Sequence, residues 1–359
     1  MNIGGKKLLI QLNRSFEKKC SVNNLREIKI AIDAMGGDFG PSVVINGAYL
    51  AFKKNPNLKF VFFGDKKKII PLLKKKNIFN ISDIFHTDQV IKNDTKPTDA
   101  LRRFKKSSMF KAIEYVKSDS ANAIVSGGNT GALMVISTVL MKTIKGINRP
   151  AIATIFPTKK SKTLMLDLGA NIECNVKNIL DFAIMGNIFS KTVLGVKKPK
   201  IGLLNVGSEI LKGNEMVQMA AKKLEKEKNI VFNGFVEGND VPLGKVDVVV
   251  TDGFTGNVAL KIAEGTSELY TNYLKNTFKD NLYSKFAFII SLPILKSLWN
   301  KVNPEKYNGA MFLGLNGIVV KSHGHSNAEG FANAISVAYD LSKNNFNKKI
   351  ILDVKKFFK

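Results

Sequence analysis

The most constraining feature of this sequence is a series of short apolar runs that each end in glycine and a polar residue. The apolar residues of these runs do not alternate with polar ones, which is typical of strands buried on both faces of a parallel sheet. Segments with helical spacing separate the runs. The pattern predicts an α/β fold, a doubly wound three-layer α/β/α sandwich with a mostly parallel sheet. The runs lie at 28–41, 58–65, 122–132, 162–171, 199–209 and 246–257, and the helical segments at 42–53, 98–118, 131–145, 176–193, 212–228 and 257–279.

Polar residues and glycines are concentrated where the apolar runs end. Ligands of open α/β sheets bind beyond the carboxyl ends of the strands. We therefore expect these turns to face the same edge of the sheet and to form one polar cleft that binds phosphate or substrate. The residues expected in it are Asp33, Gly36, Gly37, Ser126, Gly127, Asn129, Thr130, Asn171, Asn205, Asp252, Thr255 and Asn257.

The turn 126–131 is the strongest single candidate for an anion site. It lies between a strand and a helix, where free backbone N–H groups next to hydroxyl and amide side chains favour an anion. The alternative is simple capping of the helix by Asn129 or Thr130.

Two further positions add charge to this picture. Arg102 and Arg103 follow a predicted helix start, and an arginine fork near a polar cleft suits phosphate or carboxylate. The alternative is a solvated helical face. His323 follows the strand at 317–320 and suits an oxyanion or a proton transfer, or else it stabilises its own loop.

Several site classes find no support in the sequence. The glycine turns match neither the GxGxxG dinucleotide pattern nor the GxxxxGK[ST] phosphate loop. The chain has two cysteines, far apart, and three histidines, so we expect no zinc site, and no local signature makes Cys174 a nucleophile. We expect neither a cofactor nor a metal. So few cysteines fit a cytoplasmic protein.

The formal net charge is +26, and all but five of the 55 Lys and Arg residues are lysines. Part of this excess is typical of a lysine-rich genome, with the charges solvated. The rest favours negatively charged partners. Nucleic-acid recognition usually requires more arginine forks and exposed aromatic residues, so we expect no nucleic-acid partner.

Three segments stand apart from the sheet pattern. Residues 1–27 are expected to be a basic, disordered extension or an early start, and 346–359 a basic tail. No apolar run is long enough to span a membrane. The apolar segment within 278–303 is expected either to contact the membrane or to be buried in a dimer or in the core. Its predicted membrane contacts are Phe286, Phe288, Ile289 and Leu292.

Over residues 28–345 the motifs, in order, resemble the phosphate acyltransferase family PlsX. The match rests on IAIDAMGGDFGP, KPTDALRRFKKSSM, SGGNTGALM, LDLGANIEC, LLNVGSEILKGNE, VVTDGFTGNVALK and the stretch 307–331. The resemblance implies transfer of a fatty acyl group from acyl carrier protein to inorganic phosphate, giving acyl phosphate for phosphatidic acid and phospholipid synthesis. It also implies a fold similar to phosphotransacetylases and isocitrate/isopropylmalate dehydrogenases.

The same resemblance implies a homodimer attached peripherally to the inner membrane surface, with a downstream glycerol-3-phosphate acyltransferase as partner. For the site, our hypothesis is that His323, Asn171 and Lys212 are catalytic, with Arg103 as a supporting cation. Phosphate is itself the nucleophile, so positioning and charge stabilisation are what the protein must supply.

Three other functions stay open from the sequence alone. One is a short-chain acyl-CoA:phosphate transferase of the phosphotransacetylase type. Another is a polyanion-binding protein without catalysis, which the charge alone favours. An oxidoreductase on the related dehydrogenase fold has the least support, because no cofactor fingerprint is found.

Overall fold

The computed structural model describes residues 27–160, 162–278, 282–302 and 304–357, and centres on one 11-stranded sheet. Its strands are β1 Ile28–Asp33, β2 Leu58–Gly64, β3 Ser82–His86, β4 Ala123–Ser126, β5 Ala151–Pro157, β6 Lys162–Leu166, β7 Lys200–Leu204, β8 Val231–Val236, β9 Val248–Val250, β10 Ala310–Leu313 and β11 Ile318–Lys321. The helices are α1 Gly40–Lys54, α2 Lys66–Lys75, α3 Pro97–Arg103, α4 Ser108–Lys117, α5 Thr130–Met141, α6 Val176–Thr192, α7 Glu215–Leu224, α8 Asp240–Leu243, α9 Gly253–Thr277, α10 Leu282–Val302, α11 Ala328–Lys343 and α12 Phe346–Phe357.

Helices cover both faces of the sheet, which confirms the predicted α/β/α sandwich. In β2, Phe60 and Phe62 belong to the core on one face, whereas Val61 and Phe63 belong to the core on the other. Successive side chains of a strand point to opposite faces, so a strand covered on both sides is apolar throughout. Helices α1, α6 and α11 supply the first core, and α4 and α5 the second.

The strand order is β3-β2-β1-β4-β11-β10-β5-β6-β9-β7-β8, and the direction of the strands reverses near its middle. β1 to β4 and β11 are parallel to one another. β10 is antiparallel to β11 and β5, and β5 and β6 form an antiparallel hairpin. β6 to β9 are parallel among themselves. The carboxyl ends of β6 to β9 therefore lie at the opposite end of the sheet from those of β1 to β4 and β11.

The predicted helix over 98–118 is two helices, α3 and α4. Ser107 lies in the break, and its hydroxyl accepts a hydrogen bond from the backbone N–H of Phe110 at 3.3 Å. A serine N-cap of this kind starts a new helix.

Helices α9 and α10 carry an exposed apolar surface. Side chains of Phe286, Phe288, Ile289 and Leu292 are exposed, the first and third by 64% and 63%. Burial in the core of this chain is thus ruled out for them, and contact with a membrane or with a second copy stays a prediction. Within the described residues, no helix has both the length and the apolar character needed to cross a bilayer.

The C-terminal segment is folded onto the core of the sheet. Residues 1–26 of the expected N-terminal extension lie outside the described residues. The segment expected to be a basic tail forms α12, whose Phe346, Ile350 and Val354 are buried. The ring of Phe346 stacks edge-on against Phe189 of α6, at 5.4 Å between centroids.

Candidate active site

The reversal of the sheet separates the predicted cleft residues into two groups. We name the loops after β1, β4 and β11 the glycine end, and the loops after β6, β7 and β9 the aspartate end. The glycine end holds Asp33, Gly36, Gly37, Ser126, Gly127, Asn129, Thr130 and His323. The aspartate end holds Asn171, Asn205, Lys212, Asp252, Thr255 and Asn257. The expectation that all these turns face the same edge of the sheet is wrong, because β6 to β9 run opposite to β1 to β4 and β11. The binding of phosphate or substrate by these residues stays a prediction.

A shallow cleft, open to solvent, lies at the glycine end, where three loops approach closely. A Cβ atom on Gly36 would lie 2.7 Å from the backbone nitrogen of Gly128, and one on Gly37 would lie 3.3 Å from the carbonyl oxygen of Gly324. Gly37 also has a φ of +89°. Only glycine permits both the approach and this backbone angle. The lining includes Gly36, Gly37, Gly127, His323, Gly324 and Ser326.

Beneath this cleft, Asp33 and Ser126 form a buried pair. The Ser126 hydroxyl donates to Oδ2 of Asp33 at 2.7 Å and accepts from the backbone N–H of Gly128 at 3.1 Å. Burial raises the pKa of Asp33, although hydrogen bonds to it act in the opposite direction. Ser126 is completely buried, so it shapes the glycine turn from below and does not face the cleft.

Lys321, the last residue of β11, is a site residue absent from the sequence-based prediction. Its Nζ donates to the carbonyl oxygen of Gly127 at 3.3 Å and to that of Ser322. Burial lowers the pKa of Lys321 to about 8, and the nearby carboxylates of Asp33 and Asp38 limit the shift. The signal in the sequence was a lysine directly at the end of an apolar strand, where a charge must find a partner.

Asn308 holds the loop that carries His323. Its Nδ2 donates to the hydroxyls of Ser322 at 2.9 Å and Ser326 at 2.7 Å. Its Oδ1 accepts from the backbone N–H of His323 at 2.9 Å. An amide that uses both its donor and its acceptor in this way fixes the loop on which His323 stands.

His323 meets a lysine from the other half of the fold. Nε2 of His323 lies 3.5 Å from Nζ of Lys261, which is on α9. The pKa of His323 is lowered, first by desolvation and further by the positive charges of Lys261 and Lys321, whereas Glu264 acts to raise it. Three basic side chains thus converge at the glycine end.

Asn129 has a structural role at the start of α5. Its Oδ1 accepts from the backbone N–H of Ala132 at 2.9 Å. Its Nδ2 donates to the carbonyl oxygens of Lys92, Asn93 and Thr95 at 2.9 to 3.2 Å. The capping alternative is therefore the one found for Asn129, and its amide is also used to hold the loop at 92–95. Thr130 is exposed beside it.

At the aspartate end, Asp167 organises its own loop. It accepts hydrogen bonds from the backbone N–H groups of Ile152, Ala170 and Asn171 and from Nδ2 of Asn171, at 2.7 to 3.1 Å. Nδ2 of Asn171 also donates to the carbonyl oxygen of Pro150 at 2.8 Å. Asn171 is buried and both hydrogens of its amide are used. These contacts do not place it with His323, as our catalytic hypothesis required.

The remaining polar residues of the β9 turn cap and border α9. Asp252 accepts from the backbone N–H of Thr255 at 2.9 Å and from its hydroxyl at 2.8 Å. This is the N-cap geometry that satisfies free N–H groups at a helix start. Asn257 is exposed, and a Cβ on Gly169 would lie 3.5 Å from its side chain.

The two cations of our hypothesis, Lys212 and Arg103, are not among the residues that line the cleft. Lys212 is exposed in the loop after β7, and its carbonyl oxygen accepts from Nδ2 of Asn205 at 3.0 Å. Arg103 ends α3, where its exposed side chain lies 3.9 Å from Asp99. The structure brings Lys321 and Lys261 to the glycine end instead.

Comparison with known proteins places the chain in a family. A model of the family described as fatty acid synthesis protein matches residues 28–349. A phosphate acyltransferase of Paramagnetospirillum magneticum is 50% identical over 325 residues, 90% of this chain and 93% of the relative. One of Rhodospirillum centenum is also 50% identical over 325 residues, 89% and 91% of the two chains. The chain belongs to the phosphate acyltransferase family.

Solved structures show the same fold at low identity. A phosphotransacetylase from Streptococcus pyogenes has a TM-score of 0.60 and 16% identity over 95% of this chain and 99% of that one. A protein from Salmonella typhimurium, assigned as a 4-hydroxythreonine-4-phosphate dehydrogenase, has a TM-score of 0.51 and 14% identity over 88% and 99%. These similarities confirm that the chain has the expected fold, which phosphotransacetylases and related dehydrogenases share.

Proposed function

We propose that this protein transfers a fatty acyl group from acyl carrier protein to inorganic phosphate at the glycine end, giving acyl phosphate for phosphatidic acid and phospholipid synthesis. The observation that carries the proposal is the glycine-lined cleft where Lys321, His323 and Lys261 converge. Glycine turns beside cations are suited to phosphate. The relatives named phosphate acyltransferase support the transfer of an acyl group to phosphate.

The reaction needs positioning more than a side-chain nucleophile. A phosphate oxygen attacks the thioester carbonyl carbon, the C–S bond breaks, and the sulfur leaves with the electron pair as a thiolate. N–H donors of the glycine turns stabilise the charge on the carbonyl oxygen as it develops. Burial raises the pKa of Cys174 to about 11, so near neutral pH it is a thiol and a poor nucleophile.

Thiol release from palmitoyl-acyl carrier protein, measured with and without phosphate, tests the reaction. His323→Ala is expected to lower kcat/KM for phosphate about 100-fold, the loss of one hydrogen bond to a charged group. His86→Ala is the matched control, because His86 is also half-exposed and pairs with Asp88 on the far side of β1. Release that does not depend on phosphate would contradict the proposal. Faster release from acetyl-CoA would favour the phosphotransacetylase-type alternative.

We further infer that the protein attaches to the inner membrane surface through α10 and acts there as a homodimer beside a glycerol-3-phosphate acyltransferase. Exposed apolar side chains on α10 are flanked by Lys285 and Lys296. Such a helix binds an interface that carries anionic lipid. The net charge of +26 also suits an acidic carrier protein and phosphate.

Binding to vesicles with and without phosphatidylglycerol tests this attachment. Phe288→Glu combined with Ile289→Glu is expected to abolish binding, because a charge in the apolar face opposes insertion. Leu352→Glu is the control, since Leu352 is an exposed leucine of α12. If the double variant binds as the unmodified protein does, the α10 surface has another role. A change in oligomer mass would then identify the dimer interface.

A further inference from the structure

Helix α9 links the two ends of the sheet. It begins at Asp252, which follows β9 at the aspartate end. Lys261 lies nine residues later, about 13 Å along a helix at 1.5 Å per residue. A strand of about four residues has the same length, so a helix that runs back along such a strand reaches the other end of the sheet. Lys261 therefore reaches the glycine end, where it meets His323.

Nε2 of His323 and Nζ of Lys261 are 3.5 Å apart, and the tautomer of His323 sets which of them donates. The backbone N–H of His325 approaches Nδ1 of His323 at 3.4 Å. Desolvation lowers the pKa of His323, which favours the neutral imidazole. In the tautomer whose Nδ1 accepts from His325, Nε2 carries the proton and is a donor, as the ammonium group of Lys261 is. That tautomer leaves both groups ready for one acceptor between them.

Glu264 orients the side chain of Lys261 and accepts only one of its ammonium hydrogens. Its Oε2 accepts one Nζ hydrogen of Lys261 at 2.7 Å, from one helical turn further along α9. An ammonium group has three hydrogens, so two remain for other acceptors. The Lys261 side chain is 54% exposed, so a small anion can approach it from solvent.

The surroundings of Lys261 and His323 are open and carry several charges. The cleft beside His323 is lined by Gly37 and Gly127 among others, and the carboxylate of Asp38 lies next to Gly324, 2.9 Å from Nδ1 of His325. Lys321 lies under Gly127 and adds positive charge from below. An oxygen atom between two donors, one of them charged, makes short and strong hydrogen bonds.

We propose that Lys261 and His323 together bind the phosphate substrate. A helix that follows β9 would then complete a site built by the loops after β1, β4 and β11. This inference rests on the proposed transfer of an acyl group to phosphate. No residue of α9 beyond Asn257 was predicted to act in the site. Lys261 is far from His323 in the sequence, and only the tertiary fold brings the two side chains together.

Steady-state kinetics on the full chain test the role of Lys261. Lys261→Ala is expected to raise the KM for phosphate about 10- to 100-fold, the range of a hydrogen bond to a charged group. The KM for the acyl donor is expected to stay within about twofold of its original value. Lys261→Arg should recover part of the loss, because the cation is kept. Lys275→Ala, an exposed lysine further along α9, is the matched control and should change neither KM.

Calorimetric titration with inorganic phosphate, without any acyl donor, tests the inference independently of activity. If the unmodified chain binds phosphate but releases no thiol from any thioester, the proposed reaction fails and the phosphate site remains. The inference is overturned if Lys261→Ala binds phosphate as tightly as the Lys275→Ala control, or if the unmodified chain binds none. Non-additive losses in a Lys261 and His323 double-mutant cycle are the expected sign of one shared ligand.

Discussion

Asp33 and Asp167 end similar strands at opposite ends of the sheet, and their surroundings differ. Both are buried, and burial raises the pKa of each. Asp167 accepts four hydrogen bonds from backbone and amide N–H groups around its own loop. Asp33 instead binds the Ser126 hydroxyl under the glycine turn and lies near the ammonium group of Lys321. The same strand-end pattern therefore supports a scaffold at one end and a charged cleft at the other.

The difference shows what separates a site from a scaffold among similar turns. At the aspartate end, Asp167, Asp252 and Asn205 use their polar atoms on caps and loop carbonyls. At the glycine end, the Lys261 side chain is 54% exposed and keeps Nζ hydrogens beyond the one that Glu264 accepts. Polar groups already satisfied within the protein have little left to offer a ligand.

The largest effect is expected from Asp167→Ala. It leaves buried N–H groups of Ile152, Ala170 and Asn171 without their acceptor, and each such group is expensive to leave unpaired. We expect the free energy of unfolding to fall by about 3 kcal/mol. Urea denaturation measures the loss. Loss of activity in a variant of unchanged stability would place chemistry at the aspartate end and contradict the comparison.

An intermediate, pH-dependent effect is expected from Lys321→Met. The pKa of Lys321 is about 8 in the folded chain against an ordinary 10.5, so between these values the unfolded chain binds more protons. Raising the pH from about 8 to 10.5 therefore stabilises the unmodified protein relative to the variant, on the order of 2 kcal/mol. Urea denaturation of both proteins at pH 7 and pH 10 measures this change. A difference that is independent of pH would mean that the ammonium group is not desolvated in the fold.

The smallest effect is expected from Asp252→Ala, which removes the N-cap of α9. Loss of such a cap destabilises by about 1 kcal/mol, and Asp252→Asn should retain most of it. Because α9 also carries Lys261, a modest rise in the KM for phosphate is expected alongside. Thermal melting and phosphate titration of the two variants measure these changes. Complete inactivation by Asp252→Asn would give Asp252 a direct role in the reaction and break the comparison.

Much of the fold follows from the sequence, because β1, β2 and β4 are largely apolar and end in glycine turns. The reversal of the sheet also has a signal in the sequence, which the prediction of a single cleft left unused. Only four residues separate Pro157 of β5 from Lys162 of β6. That is too short for a parallel crossover and typical of an antiparallel hairpin.

The site was less predictable than the fold. His323 and the glycines of the predicted turns line the cleft at the glycine end, and their role in binding stays a prediction. Lys261 was not predicted, because only the tertiary fold brings α9 to the loop after β11. Asn129 and Asn171 were predicted to bind phosphate or to act in catalysis, and the structure shows their amides holding loops. Capping and binding amides look alike in a sequence, because only their hydrogen bonds distinguish them.

The position of phosphate in a crystal of the protein grown with inorganic phosphate tests the central claim most directly. We expect phosphate at the glycine end, within hydrogen-bonding distance of Nε2 of His323 and beside the backbone of Gly37 and Gly127. Phosphate bound at the aspartate end, against Asn171 or Asn257, with the glycine end unoccupied, would contradict it.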